Sequence, residues 1–234
     1  MFNDIKHIFF DLDKTLWDFE TNSTLALKEL FIKYDLASKG IPSFEEMHFI
    51  YKKINEKLWA DYSQNLISKE DLRTERFNKT FEYFGLYNTE LSFLFGLDYI
   101  NISPRKNNLY PGTIDTLEYL SKKYQLHIIT NGFEEVQYIK LESSGILHFF
   151  KQIITSEKAG AKKPDKAIFN FALQTANASP ENSLMIGDDI EIDIKGALNV
   201  NMRAIHFNPD YIDNNSSSNS FYAINSLNKL FDWL

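Results

Sequence analysis

Asp11-Leu12-Asp13-Lys14-Thr15 sets two carboxylates two residues apart, directly after the apolar run Ile8-Phe9-Phe10. At a strand end, side chains at i and i+2 start toward the same face, so Asp11 and Asp13 can address one substrate. Such a pair suits covalent catalysis, with one carboxylate as nucleophile and the other moving a proton. The alternative reading is a solvated acidic turn after a strand. A second acidic cluster, Gly187-Asp188-Asp189-Ile190-Glu191-Ile192-Asp193, follows Leu184-Met185-Ile186. Gly187 permits close backbone approach and Asp188 offers a hard oxygen ligand. Carboxylates at adjacent strand ends can share one octahedral magnesium, leaving positions for water and a phosphate oxygen; the same acids can also cap a helix that starts near Asp193. Thr130-Asn131-Gly132 closes a third apolar run, where a hydroxyl and backbone N–H groups can hold phosphate oxygens or merely turn the chain. Lys163 precedes Pro164, which excludes helix there and holds the lysine in extended or turn geometry. By itself it is a surface lysine.

These residues need a scaffold that brings strand ends together. Short apolar runs recur at 8–10, 126–129, 152–155, 183–186 and 203–207, and segments 113–123, 134–143, 166–175 and 193–200 place apolar residues three or four apart. Strands alternating with helices predict a parallel sheet covered on both faces, with ligands bound at the carboxyl ends of the strands. Residues 19–103 carry helical patterns and no convincing strand. Ser43-Phe44-Glu45-Glu46 opens one amphipathic run through Trp59, and Ser68-Lys69-Glu70-Asp71 opens another through Phe84. The expected fold class is therefore α/β, a Rossmann-like parallel-sheet core (1–18 plus 104–234) interrupted by an inserted all-helical cap (19–103). Residues 210–220 read as a surface loop, 221–224 as a short strand and 226–234 as a closing helix.

The chain has 234 residues, 44% of them hydrophobic and 15% aromatic, which excludes a disordered or collagenous protein. Its 25 Lys and Arg against 32 Asp and Glu give a net charge of −7, without the basic footprint of a nucleic-acid-polymer or anionic-membrane binder. There is no cysteine, so any metal must sit on oxygen or imidazole. The opening apolar run is too short for a signal peptide and nothing later approaches the ~20 apolar residues of a membrane span. The expected location is the cytoplasm, and the expected assembly a monomer or weak homodimer.

Taken in order, carboxylate, hydroxyl, lysine and carboxylate resemble the four motifs of the haloacid dehalogenase superfamily of aspartate-nucleophile phosphotransferases: Asp11 to Thr15, Thr130, Lys163-Pro164, and Gly187-Asp188 through Asp193. Within it, Leu58-Trp59-Ala60-Asp61-Tyr62, Ile128 to Phe133 and Gly160 to Pro164 are most similar to the house-cleaning pyrimidine nucleoside 5′-monophosphatases. The resemblance implies a magnesium-dependent phosphomonoester hydrolase with Asp11 as nucleophile, Asp13 as acid and base, and Lys163 and Thr130 on the phosphate. It implies magnesium on Asp11, the Asp13 carbonyl and Asp188, with Asp189 and Asp193 orienting metal-bound water. Asn131 and Gly132 are further expected phosphate contacts. Trp17, Phe19, Phe133, Trp59 and Tyr62 are expected either to face a nucleotide base or to pack. The implied partner is a small phosphorylated metabolite, a nucleoside monophosphate first, with phosphoglycolate or a sugar phosphate as alternatives. A sugar phosphomutase shares the motifs. A dehalogenase needs neither Asp13 nor Asp188, P-type pumps need membrane spans, and a response-regulator receiver has no such helical insertion.

Overall fold

The computed structural model describes residues 2–210 and 221–234. Contact density divides the chain into two compact units, residues 1–19 with 107–234, and residues 20–106. In chain order the main elements are β1 (His7–Phe10), α1 (Phe19–Lys33), α2 (Phe44–Ser63), α3 (Lys69–Tyr83), α4 (Thr89–Ile102), α5 (Thr113–Leu120), β2 (Gln125–Thr130), α6 (Glu134–Ser143), β3 (Phe150–Thr155), α7 (Ser156–Ala159), α8 (Lys166–Ala176), β4 (Ser183–Gly187), α9 (Lys195–Leu198), β5 (Arg203–Phe207) and β6 (Tyr222–Ile224).

All the strands pair in parallel, in the order β3-β2-β1-β4-β5-β6. The order runs outward from β1 in both directions, which places a switch point, and the crevice it opens, beside the carboxyl end of β1. Period-two alternation sends Ile8 and Phe10 of β1, with Leu184 and Ile186 of β4, into the apolar layer of one sheet face. Phe9 and Met185 enter the layer on the other, with Ile168 and Phe169 of α8. Both faces are thus covered, which is why these strands are apolar throughout. The helical unit has its own core, where Leu27, Leu30, Tyr51, Phe77, Phe81, Phe95 and Tyr99 meet. The Ser43 hydroxyl accepts the Glu46 N–H at 3.2 Å to start α2, and Ser68 and Asp71 cap α3 reciprocally.

Two expected helices take other forms. The segment read as a helix over 193–200 opens as a π-turn, Ile190–Ile194, before α9. The closing helix is a 3₁₀ turn, Leu227–Asp232. The expected loop falls largely on 211–220, outside the described residues. No helix among the described residues is long and apolar enough to cross a membrane.

One buried polar contact lies within the sheet rather than at its ligand-facing end. His7 Nδ1 and His127 Nε2 are 3.2 Å apart, and the His127 ring stacks on Phe9 at 4.7 Å between centroids. Only a pair with at least one neutral ring can form this bond. Burial, with the nearby charge of His7, lowers the His127 pKa from 6.5 to about 4. Between those values the unfolded chain binds a proton that the folded chain refuses, so this contribution is complete above pH 6.5 and is lost as pH falls toward 4. The loss is expected to be about 2–3 kcal/mol. Urea titrations at pH 7 and pH 5 check it: the wild type should lose more stability across that interval than His127→Phe, and equal losses would refute the assignment.

Candidate active site

Asp11 leaves β1 with its N–H still bonded to the Ile186 carbonyl at 2.9 Å, so its backbone is held as a continuation of the sheet. Its side chain meets Lys163, which reaches in from the loop before α8. The Lys163 ammonium donates to Asp11 Oδ1 at 2.5 Å, Asp193 Oδ1 at 2.6 Å and the Ile129 carbonyl at 2.9 Å. Lys163 is 2% exposed, so it is a buried cation rather than the surface lysine its isolated sequence suggests. Its position is fixed by Asn131, whose amide donates from Nδ2 to the Lys163 carbonyl at 3.0 Å and accepts the Lys163 N–H at 2.8 Å. That clasp occupies the Asn131 side chain, expected to touch phosphate, with holding the lysine loop.

Asp188 follows β4. Thr15 Oγ1 lies 3.4 Å from its Oδ1, and His206 Nε2 lies 2.8 Å from its carbonyl oxygen. Asp193 lies beneath Gly187: a Cβ at that glycine would stand 2.3 Å from Asp193 Oδ2. Asp193 Oδ2 accepts the Asp189 N–H at 3.1 Å while Oδ1 accepts from Lys163. Asp189 Oδ1 accepts the N–H groups of Glu191 and Ile192, so that oxygen caps the π-turn.

Asp11, Asp188 and Asp193 each bring a carboxylate oxygen to within 4.8 Å of the others. Burial drives the Asp11 pKa well up, with Lys163 opposing and Asp193 and Asp188 adding to the rise. Burial and then Asp193 raise Asp188 to about 7, against Lys163 and Lys14. Lys163 is displaced upward: burial opposes its charge, but Asp11 and Asp193 outweigh it. The cluster therefore holds more negative than positive charge in a desolvated place. An all-oxygen donor set with surplus negative charge fits a hard divalent cation such as magnesium. Both oxygens of Asp193 are already engaged, which suits it to orienting rather than to ligation.

Asp13 is placed differently from its neighbour. Its Oδ1 accepts from Lys140 at 2.6 Å and its Oδ2 from Gln137 Nε2 at 2.9 Å, both donors on α6. Gln137 Nε2 also donates to Thr130 Oγ1 at 2.7 Å, and the Gly132 N–H reaches the same oxygen at 3.0 Å. A hydroxyl has two lone pairs and one proton. With two donors aimed at it, Thr130 has its proton left to give, the polarity a phosphate oxygen requires. The Gly132 N–H, expected to bind phosphate, serves Thr130 instead.

The aromatic expectations divide. Trp17 is 0% exposed and lies in the core with the Lys140 ammonium 4.4 Å above its ring, so it has no face left for a base. Phe133 is also buried, and Phe19 packs half-buried against the same layer. Trp59 and Tyr62, one turn apart on α2, meet edge-on at 5.7 Å. Sequence reasoning missed Lys140 and Gln137. The signal was present: both occupy the buried stripe of α6, where an apolar side chain is the default.

A family model described as haloacid dehalogenase-like hydrolase matches residues 5–201. The chain is 32% identical over 231 residues to pyrimidine 5′-nucleotidase PynA of Streptococcus pneumoniae, covering 98% of this chain and 94% of that one. It is 35% identical over 211 residues to a glyceraldehyde 3-phosphate phosphatase of Methanothermobacter thermautotrophicus, covering 88% and 87%. Among solved structures, YfnB from Bacillus subtilis, determined bound to magnesium, matches with a TM-score of 0.87 at 30% identity over 98% of each chain.

Proposed function

We propose that this chain, which belongs to the haloacid dehalogenase-like hydrolases, is a magnesium-dependent phosphatase that forms an aspartyl phosphate on Asp11 and acts on pyrimidine nucleoside 5′-monophosphates. The observation that carries the reading is Lys163, buried between Asp11 and Asp193 at 2.5 and 2.6 Å, with Asp188 and Thr130 at neighbouring strand ends. A lysine so placed favours the anionic form of a desolvated Asp11, the form a nucleophile needs.

In this reading an Asp11 oxygen attacks phosphorus in line as the bond to the ester oxygen breaks, and Asp13 gives that leaving oxygen a proton. Asp13 then takes a proton from the water that attacks the aspartyl phosphate, and inorganic phosphate and free Asp11 result. Thr130 and Lys163 donate to the oxygens of the transferring group, where preorganised donors contribute most. The carboxylates of Asp11 and Asp188 with the Asp13 carbonyl would hold magnesium, which supplies positive charge against the repulsion between carboxylate and phosphate. Asp193 keeps Lys163 and the Asp189 backbone in place. Substrate choice falls to residues 20–106, read as the cap of this enzyme.

The pyrimidine assignment follows the likeness to PynA. The glyceraldehyde 3-phosphate phosphatase at 35% identity favours a second reading, a small non-nucleotide ester. A panel of pyrimidine and purine monophosphates, sugar phosphates, phosphoglycolate and glyceraldehyde 3-phosphate, run with magnesium and with EDTA, separates them. The expected outcome is many turnovers that EDTA stops, with UMP, dUMP or dTMP leading in kcat/KM. A tenfold advantage for any non-nucleotide ester would replace the pyrimidine reading by the second. Undiminished turnover in EDTA would remove the metal from both.

A further inference from the structure

Lys140 and Gln137 have no role in the chemistry above, yet they are the most costly polar residues of α6. Lys140 is 6% exposed and Gln137 0%. Lysine is almost never buried unless paired, and a buried amide oxygen without a partner lowers stability because it has given up water for nothing. Gln137 Oε1 is such an atom: it has no hydrogen-bond partner among the described residues, while its Nε2 bonds both Asp13 and Thr130. Two apolar side chains at these positions would fill the same stripe without that cost. What the polar pair provides is geometric, since each carboxylate oxygen of Asp13 has its own donor from a rigid helix. The Lys140 ammonium is steadied in turn over the Trp17 ring at 4.4 Å. Gly132 completes the arrangement, because a Cβ there would stand 2.0 Å from Gln137 Nε2.

We propose that Lys140 and Gln137 are positioning residues that hold the Asp13 carboxylate in the one orientation from which it takes the proton of the hydrolytic water, and that Gln137 ties this orientation to Thr130 and so to the phosphate. The proposal rests on the aspartyl-phosphate reading. Without Lys140, the Asp13 carboxylate, whose side chain is 27% exposed, turns into solvent and is no longer held for the second step. Attack by Asp11 on an ester with a good leaving group needs no acid, so the first step survives better than the second.

Lys140→Met keeps the length and apolar stem of the lysine and is expected to leave the thermal midpoint within a few degrees of wild type, because the carboxylate it abandons can reach water. With p-nitrophenyl phosphate, kcat should fall about 10- to 100-fold and KM should fall with it, so that kcat/KM, which reports the surviving first step, changes less than about threefold. Acid-quenched enzyme should carry covalent phosphate on a larger fraction of chains than wild type. Lys140→Arg should recover most of the rate, and Gln137→Met, nearly isosteric, should show the same accumulation to a smaller degree. A loss of rate with no rise in trapped phosphoenzyme, or rates within twofold of wild type in both Met variants, overturns the proposal. If Lys140→Met does not fold, Gln137→Met alone decides by the same readout. Wild-type enzyme that traps no phosphate on Asp11 during turnover would instead refute the aspartyl-phosphate reading beneath it.

Discussion

Asp11→Asn is expected to abolish turnover while the protein remains folded. The amide is nearly isosteric but is not a nucleophile, and the loss of kcat should be at least about 10⁴-fold, since groups acting as a unit in covalent catalysis give up nearly all of their effect when one is removed. Stability should move the other way or not at all. The ionised Asp11 carboxylate is desolvated beside Asp193 and Asp188, and its raised pKa means that deprotonation opposes folding as pH rises above the ordinary carboxylate range. Without added metal, Asp11→Asn should therefore melt at or a few degrees above the wild type at pH 7. Retention of more than a few per cent of activity in the purified variant would end the covalent mechanism.

Lys163→Met should lose both activity and stability. Removing one partner of a buried ion pair typically costs about 3–5 kcal/mol, because the charge left behind has no compensation. Here Asp11 and Asp193 both lose their donor, and Asp188 lies within the same cluster. For a chain of this length the thermal midpoint should fall by about 6–20 °C. Magnesium should restore part of the loss, since a cation on the cluster replaces some of the missing charge. Calorimetry with and without magnesium measures both effects. A Lys163→Met protein as stable as the wild type would mean that the lysine is not the charge that holds the site together.

The contrast between these two variants reflects what the sequence could disclose. Asp11, Asp188 and Thr130 were legible because each follows a short apolar run. A buried parallel strand leaves that mark, and its carboxyl end is where α/β sheets bind ligands. Lys163 was legible only in their company, since nothing local says that an extended lysine before proline is 2% exposed. Lys140 and Gln137 are hidden because helical spacing is carried by apolar positions, and polar residues on the same stripe only weaken that pattern. Trp17 shows the opposite failure, because an aromatic next to a catalytic motif looks available until the fold shows Lys140 seated on it. The break at Ile190–Ile194 was also out of reach. It depends on Asp189 capping that turn and on the Asp193 side chain being drawn to a lysine 30 residues away.

Lys163 has one more property. An ammonium has three protons, and in this structure all three have oxygen acceptors in the protein. A phosphate oxygen therefore gains contact with Lys163 only by exchange. In the proposed mechanism the moment for that exchange is when an Asp11 oxygen becomes bonded to phosphorus, for the carboxylate would then cease to be an anion and hold its donor less firmly. The lysine can thus follow the negative charge as it migrates from carboxylate to phosphoryl group, favouring the reacting state over the resting one. Free phosphate, which meets a Lys163 still committed to Asp11, gains little from it, so the same arrangement that promotes transfer also promotes departure of the product.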